Sequence, residues 1–375
     1  MRNKIIMMVL SVVLVVSLAI VGCAKPVAPP EEPTDGVTPT PEPVEEPVEV
    51  RELIYQGSHP RPQYLVQTAF IPFAMRLGEE SGGRLKVTYY DGGAIAPDAL
   101  EGVVTNIINI GHYSPQSAPG MYPLGEVMGL PFIVPSSTVG GMVGTHLMET
   151  FPEWRAEYPP EVKVLHHFCS ATYNLHMIDG FVKTAADLKG KTIIGIDAPG
   201  LELLELLGAT PIGLAGGDWY LSLERGMADG ILCPLAPIRA MKITDICKYH
   251  TIVNTNLFLF VVLINRGYYD SLPLDLQQMI DREAGMKGSE LFGHGLDKGA
   301  VADCEWMKGE GHEFYVLPPE ELAKWTEAIM PMREAWIANV EAKGLPGREV
   351  LDEVLRYAQE LVEQGVYVPD YTVFE

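Results

Sequence analysis

Alternating blocks of apolar and polar residues predict that strands and helices follow one another along most of this chain. Four apolar runs bounded by turn residues are typical of buried strands, and they span residues 85–90, 163–168, 191–196 and 257–265. Segments with apolar residues three and four positions apart lie between them and predict helices at 63–80 and 201–208. This alternation predicts an α/β fold with largely parallel sheets.

The last third of the chain is predicted to be helical. One long helix is expected to begin near Pro273 and to run to about residue 311. A further helical stretch ends at Gly344 and Pro346. It places one stripe of side chains toward the core, which we interpret as packing: Leu322, Trp325, Ile329, Met332, Trp336 and Val340.

Two segments share one pattern, residues 99–111 and 222–231. Each reads as the end of a helix, a left-handed turn residue and a short strand. The turn residues are Asn106 and Gly226, and both residue types tolerate a positive φ. One copy lies in each half of the chain after residue 50, which suggests two similarly built lobes.

Residues 1–23 resemble an export signal, because Arg2 and Lys4 precede an uncharged apolar run. The run ends at Gly22 and Cys23, which resembles a bacterial lipobox, in which the cysteine becomes the lipid-modified N-terminus. The alternatives are an ordinary signal peptide with a chance cysteine and a retained membrane anchor. We prefer the lipoprotein, because the run is short for a spanning helix and no stop-transfer pattern follows.

Residues 24–50 contain eight prolines and seven acidic residues. Such a composition cannot build a core, so an extended, disordered tether is expected there. The chain has a formal net charge of −22, and the part after the tether is acidic as well. This charge argues against nucleic acid as a partner and against direct docking on anionic lipid.

Residues suited to enzyme chemistry form no recognisable constellation. The chain lacks GxSxG, HExxH, phosphate-loop and GxGxxG motifs. His166 and His167 are neighbours in a predicted strand, so their side chains should point to opposite faces and cannot share a metal. Cys169, Cys233, Cys247 and Cys304 form no CxxC pair, and both disulfides and free thiols stay open. No metal or cofactor is expected.

The segment GATPIGLAGGDWYLSLERGMADG, residues 208–230, resembles a signature of the solute-binding proteins of TRAP transporters, the DctP-like family. SGGRLKVTYYDGGAI, GEVMGLPFIVPSS, TAADLKGKTI and INRGYYDSLPLDLQQMI resemble further blocks of that family in the same order. The signature positions are Gly208, Ala209, Thr210, Pro211, Asp218, Tyr220, Ser222, Leu223, Gly226, Asp229 and Gly230.

The resemblance implies a two-lobed periplasmic-binding-protein-like α/β fold of class II type, with crossing strands and a long hinge-spanning helix. The ranges that we expect are 51–172 plus 257–290 for lobe I, 173–256 plus 291–330 for lobe II, and 331–375 for C-terminal helices on the lobes. Such a protein is not an enzyme. It captures a small organic solute outside the cytoplasm and delivers it to the small and large TRAP membrane subunits. Lipid on Cys23 would hold it at the membrane.

Ile194 marks a departure from the family pattern. Similar proteins usually place an arginine there, whose guanidinium pairs with the carboxylate of an organic acid. Cys233 and Asn109 also lie where the family pattern differs. The resemblance therefore predicts a solute, such as an organic acid, that is larger or more apolar than a C4-dicarboxylate. Backbone N–H groups, His59 or Arg61 could still meet a carboxylate.

Loops that follow strands supply the candidate solute contacts, because ligands bind there in open α/β sheets. Each candidate has an alternative role in core packing or helix capping. A secreted enzyme on the same scaffold and a ligand sensor without transport are the competing functions. The candidates are His59, Tyr64, Tyr113, Ser114, Tyr173, Ile194, Trp219, Cys233 and Phe258.

Overall fold

A computed structural model describes residues 49–61 and 63–375 of the chain. The predicted signal segment with Cys23, and the tether as far as residue 48, lie outside the described residues. The strands are β1 (Arg51–Gln56), β2 (Leu85–Tyr90), β3 (Ile110–Tyr113), β4 (Val162–Cys169), β5 (Asn174–Met177), β6 (Thr192–Gly195), β7 (Thr210–Gly213), β8 (Gly230–Cys233), β9 (Tyr249–Ile252), β10 (Leu259–Asn265) and β11 (Glu313–Val316).

Helices surround these strands and dominate the C-terminal third. A π-helical turn, Val66–Phe70, leads into the first of them. The α-helices are α1 (Ile71–Glu80), α2 (Ala99–Val104), α3 (Ser137–Thr150), α4 (Pro152–Ala156), α5 (Ala198–Leu206), α6 (Gly216–Glu224), α7 (Leu235–Ala240), α8 (Arg266–Asp270), α9 (Leu274–Glu283), α10 (Gly285–Gly309), α11 (Pro319–Ala328), α12 (Met330–Glu341) and α13 (Gly347–Glu363).

The strands form two separate sheets, and each sheet with its helices is one lobe. Lobe I contains the sheet β2-β1-β3-β10-β4, and lobe II contains the sheet β11-β9-β5-β8-β6-β7. The two-lobed α/β expectation is therefore confirmed. The expectation of largely parallel sheets holds only in part, since β10 and β5 pair antiparallel with both of their neighbours.

The chain crosses between the lobes in two extended segments and one long helix, and it crosses again in the C-terminal helices. Residues 170–173 connect β4 to β5, and residues 253–258 connect β9 to β10. Helix α10 begins in lobe I, where Phe292 lies in the core, and ends in lobe II, where Met307 lies in the core. The lobe boundaries predicted from the sequence fall at or near these crossings, and the full ranges stay a prediction.

The long helix expected from Pro273 onward is in fact two helices. Gly285 takes a φ of +55°, and the preceding Ala284 also departs from helical geometry. This break separates α9 from α10, so the prediction of one continuous helix was wrong. A glycine supplies the backbone freedom at the junction.

The predicted apolar stripe of the C-terminal region is divided between the two lobes. Trp325, Ile329 and Met332 lie in the core of lobe II, whereas Trp336 and Val340 lie in the core of lobe I. A short break at Ile329 ends α11 and lets α12 change lobe. The stripe is packing, as predicted, but it serves two cores rather than one.

The predicted repeat is confirmed in backbone geometry. Asn106 has a φ of 58° and Gly226 has a φ of 68°. The N–H of Ile107 donates to Gly102 O at 2.9 Å, and the N–H of Met227 donates to Ser222 O at the same distance. The two lobes therefore use the same helix-to-strand turn in the same place, before β3 and before β8.

Candidate functional site

The two crossing segments run side by side and are held to each other by hydrogen bonds. The N–H of Ser170 donates to Phe258 O at 2.8 Å, and the N–H of Tyr173 donates to Asn256 O at 2.9 Å. The side-chain oxygen of Asn174 accepts from the N–H groups of Val253 at 2.8 Å and of Asn254 at 3.0 Å. These bonds fix the junction between the lobes. We call the region around this junction the cleft and the two crossing segments its floor.

The carboxyl ends of strands from both lobes lead into loops beside this floor. Gly129 of lobe I and Pro199 of lobe II approach each other there, since a Cβ added to Gly129 would lie 3.5 Å from Cγ of Pro199. Ligands of open α/β sheets bind at the carboxyl ends of the strands. The cleft loops, as we define them, are residues 57–61, 91–95, 114–118, 196–199, 214–217 and 234–237.

Two histidines stand at the lobe I side of the cleft. The ring centroids of His59 and His112 are 5.2 Å apart, and His112 stacks on Phe70 at 4.6 Å. Burial lowers the pKa of His59 to about 4 and the pKa of His112 well below its usual value. Both imidazoles are therefore neutral at pH 7 and provide hydrogen-bonding groups without a charge.

Phenylalanine rings continue this surface onto the second crossing segment. Phe260 stacks on Phe168 at 4.9 Å between centroids, and Phe258 lies 5.3 Å from Phe260. Phe258 and Phe260 keep part of their surface exposed. We call this cluster the aromatic face of lobe I. It consists of the partly exposed rings of His59, Phe258 and Phe260 and the buried rings behind them, Phe70, His112 and Phe168.

Several buried polar atoms beside the aromatic face lack a hydrogen-bond partner. They are Nδ1 of His112 and the hydroxyl groups of Tyr55 and Tyr89. The Tyr89 hydroxyl lies over Gly57, where a Cβ would come within 2.2 Å of it. Gly57 therefore makes room for this hydroxyl. Buried polar groups without a partner are unusual and suit a bound solute or water.

Three of the predicted contacts in lobe I already have packing or hydrogen-bond partners in the chain. Tyr64 is 44% exposed and packs on α10, where a Cβ on Gly299 would lie 2.7 Å from its ring. Tyr113 packs against Tyr122 at 5.7 Å, and the Ser114 hydroxyl donates to Leu259 O at 2.8 Å. Ser114 thus joins β3 to β10, which is a structural task.

In lobe II, the predicted contacts Ile194 and Cys233 have no exposed surface. Strand register places Ile194 beside Ile212 and Ile231, within the apolar core that also holds Trp219. The indole N–H of Trp219 donates to Leu214 O at 2.9 Å. The side chain at position 194 is therefore packed against lobe II rather than open to solvent, and its contact with a solute stays a prediction.

Asp197 is a cleft residue that the sequence analysis missed. Its carboxylate accepts hydrogen bonds from Gly200 N at 2.8 Å, at the start of α5, and from the Asn256 side-chain amide at 3.4 Å, and the Tyr173 side chain lies nearby. Burial raises its pKa, although these hydrogen bonds oppose the shift. Asp before Ala-Pro-Gly signals a helix cap in the sequence, but only the fold brings that cap to both crossing segments.

Three histidines scattered in the sequence form a row across lobe II. Nδ1 of His176 and Nδ1 of His250 are 2.9 Å apart, and Nε2 of His250 lies 2.8 Å from Nδ1 of His312. The row ends at Lys248 Nζ, 3.1 Å from His312, and at the carbonyl of Cys233, 3.0 Å from His176. Burial lowers the pKa of His176 to about 4. The row is thus a chain of neutral imidazoles.

The described residues offer no site for a metal. No group of three or more His, Cys, Asp or Glu residues among them has suitable geometry. His166 packs against Phe73 and His167 against Trp154, on opposite faces of β4 as predicted. All four cysteines in this part of the chain are free and buried. Burial raises the pKa of Cys233 well above its usual value, so this thiol is not a nucleophile at pH 7.

One further cavity lies away from the cleft. A groove of about 810 Å³ follows the edge of β4 in lobe I, between Arg155 and Arg266. None of the helices in residues 49–61 and 63–375 has the length and apolar character needed to cross a membrane.

Comparison with known proteins identifies relatives along most of the chain. The family model described as bacterial extracellular solute-binding protein, family 7, matches residues 57–339. The C4-dicarboxylate-binding periplasmic protein DctP of Rhodobacter capsulatus is 25% identical over 176 residues, which is 46% of this chain and 50% of that protein. The alignment thus spans about half the length of this curated relative.

Solved structures with the same fold cover nearly the whole described region. A TRAP solute-binding protein from Rhodoferax ferrireducens, in complex with copurified benzoate, has a TM-score of 0.74 at 21% identity and covers 84% of this chain and 100% of its own. A marine metagenome TRAP solute-binding protein specific for aromatic acid ligands has a TM-score of 0.73 at 24% identity, with coverage of 83% and 99%.

Proposed function

The chain belongs to family 7 of the bacterial extracellular solute-binding proteins, and on that premise we propose that it is the solute receptor of a TRAP-type transporter. It captures a small organic solute between two lobes and delivers it to membrane subunits. The observation that carries this proposal is the cleft floor. Two extended segments joined by hydrogen bonds link two lobes, each of which has its own sheet. Such a connection permits hinge closure over a solute.

The solute that we propose is larger or more apolar than a C4-dicarboxylate. Named relatives bind C4-dicarboxylates, benzoate and other aromatic acids. In this chain Ile194 stands where a guanidinium is expected from the family pattern, and the aromatic face provides ring surfaces instead. Apolar and aromatic side chains with a few placed polar groups are typical of small-molecule pockets.

Within the cleft we assign the first contacts to His59 and Phe258, which lie on the aromatic face with part of their surface exposed. Trp219, Tyr173 and Tyr64 are assigned to the rim and the floor. Ile194 and Cys233 shape the lobe II wall from beneath. Tyr113 and Ser114 hold the lobe I loop in place.

We place the receptor outside the cytoplasm, tethered to the membrane through lipid on Cys23. A tether raises the effective concentration of a receptor near its membrane subunits. The acidic, proline-rich residues 24–50 have the composition of an extended spacer.

Thermal denaturation of the full chain in detergent, with a library of organic solutes, tests the receptor function. One solute class should raise the melting temperature, and the solute should be recovered unchanged. Consumption of the solute would support the competing enzyme. Uptake by vesicles that contain the two membrane subunits should depend on the receptor, and binding without uptake would support a sensor.

A further inference from the structure

The cleft loops and crossing segments contain few charged side chains. Their ratio of cationic to acidic side chains is unusual for a receptor of anions. Arg61 is the only Lys or Arg among the described residues of the cleft loops and crossing segments. Its guanidinium already lies 3.4 Å from the Asp91 carboxylate, and its backbone N–H donates to the same carboxylate at 2.9 Å. A simple carboxylate solute would therefore meet no unpaired cation in this set.

The other carboxylate in the same set is Asp197, and no Lys or Arg in the part of the chain that the structure describes pairs with it. Its hydrogen bonds come from uncharged donors, namely the N–H of Gly200 and the side-chain amide of Asn256, and the Tyr173 side chain lies nearby. The Asn256 contact is long, at 3.4 Å. A carboxylate accepts about four hydrogen bonds, so the oxygen that faces Asn256 retains capacity for a donor of a solute.

Aromatic rings lie near the Asp197 carboxylate, at a distance that one small molecule can span. The side chain of Asn256 is hydrogen-bonded to Asp197. Phe258 follows Asn256 by two residues, so the Cα atoms of Asn256 and Phe258 are at most about 7 Å apart. Phe258 packs against Phe260, and both rings are partly exposed. A cation held by a carboxylate beside aromatic rings gains from both interactions.

We propose that the solute carries a cationic or N–H-donating nitrogen group, which Asp197 binds while Phe258 and Phe260 contact an apolar body. The solute class is then a cationic or zwitterionic nitrogen compound rather than a plain carboxylic acid. This inference rests on the proposed receptor function and narrows it.

The experiment compares probes of one body size and different charge on the full chain in detergent. Isothermal titration with benzylamine, phenylalanine, benzamide and benzoate covers cationic, zwitterionic, neutral and anionic forms. A wider library of aliphatic and heterocyclic amines, betaines and acids follows in the same four classes. We expect the tightest member to be a cation or a zwitterion, and we expect carboxylates without nitrogen to bind at least tenfold more weakly.

Asp197→Asn separates ligand binding from helix capping. Asparagine keeps the oxygen that caps α5 but removes the charge, so folding should persist while affinity for the best cationic or zwitterionic probe falls at least tenfold. Asp352→Asn, at an exposed acid on α13, is the matched control and should leave affinity unchanged.

The possible failures are distinguishable. If a plain carboxylate binds most tightly and Asp197→Asn leaves its affinity unchanged or improved, the receptor function stands and the inference about charge is wrong. If no class binds, or if a solute is consumed, the receptor function itself fails and the inference fails with it. The comparison of charge classes on the unaltered chain holds even if the variant does not fold.

Discussion

Gly293 of α10 lies so close to α3 that a methyl group at its Cβ position would stand 2.3 Å from Cα of Thr138. The neighbouring backbone atoms, Thr138 N and Ser137 C, are also within 3 Å of that position. Nearby, Asp297 of α10 accepts hydrogen bonds from the N–H groups of Ser137 and Thr138, both at 2.9 Å. The first turn of α3 and the middle of α10 are therefore in direct backbone contact.

Gly293→Ala should lower the free energy of unfolding by about 3 kcal/mol, because the obstructing atoms are backbone and cannot rotate away. Urea unfolding monitored by circular dichroism measures the change. Gly309→Ala on the same helix is the control, since a Cβ there meets nothing within 4 Å. This control should be neutral or more stable by up to about 1 kcal/mol. Equal stability of the two variants would contradict the close contact.

Asn174→Ala should destabilise the crossing segments. The N–H groups of Val253 and Asn254 would lose their acceptor in a buried place, at a cost of about 2–4 kcal/mol. Chemical denaturation gives the stability, and solute titration reports whether the cleft floor has loosened. Asn339→Ala, on an exposed position of α12, should change neither quantity.

Ile194→Arg tests whether this position belongs to the cleft or to the core. Since Ile194 has no exposed surface, a guanidinium there would be buried without a partner, and we expect a loss of about 3–5 kcal/mol in unfolding free energy. Ile194→Val should cost only about 0.5–1.5 kcal/mol. Should the arginine variant keep its stability and gain affinity for small carboxylates, the position opens on the cleft as the family resemblance predicts.

The histidine row predicts a loss of stability in acid. The pKa of His176 is about 4 in the folded state against about 6.5 when unfolded. A lowered pKa favours the neutral form, so its contribution is complete above pH 6.5 and is lost as the pH falls toward 4. For His176 this amounts to about 3 kcal/mol.

Unfolding free energy measured by urea titration at several pH values between 7.5 and 4 checks this sign. His176→Phe keeps a ring of similar size and removes the titrating group, so its decline with acidification should be shallower. It should already be less stable at pH 7.5, because Nδ1 of His250 loses its partner. Parallel pH profiles for the two proteins would show that His176 does not carry the effect.

Cys23→Ser should release the protein from the membrane if Cys23 carries lipid. Fractionation of cells, followed by immunoblotting, measures the distribution between soluble and membrane fractions. A substitution in the tether, such as Glu45→Gln, should leave the protein in the membrane fraction. A serine variant that fractionates with membranes would contradict lipid attachment at this residue.

Local patterns in the sequence were sufficient to predict the fold class and several details of geometry. The positive φ at Asn106 and the opposite orientations of His166 and His167 follow from residue type and from strand periodicity. The break at Gly285 was missed, because apolar spacing continues through it and a single glycine is compatible with a helix.

The site was harder to predict than the fold, because it depends on contacts between distant segments. Asp197 is an ordinary helix cap in sequence and becomes a cleft residue only where the crossing segments meet it. His176, His250 and His312 are far apart in the chain, and two strand pairings, β5 with β9 and β9 with β11, bring them into one row. Spacing arguments cannot detect such contacts, whereas a cap or a turn is encoded within a few residues.

The route of the chain between the lobes has a mechanical consequence. Residues 170–173, residues 253–258, α10 and α12 each pass from one sheet's core to the other, and near the C-terminus Phe374 returns to the core of lobe II. Because so many chain segments cross the boundary between the lobes, neither lobe can unfold or be exchanged independently of the other. A scanning calorimeter should record a single endotherm from this receptor, even though it contains two separate sheets.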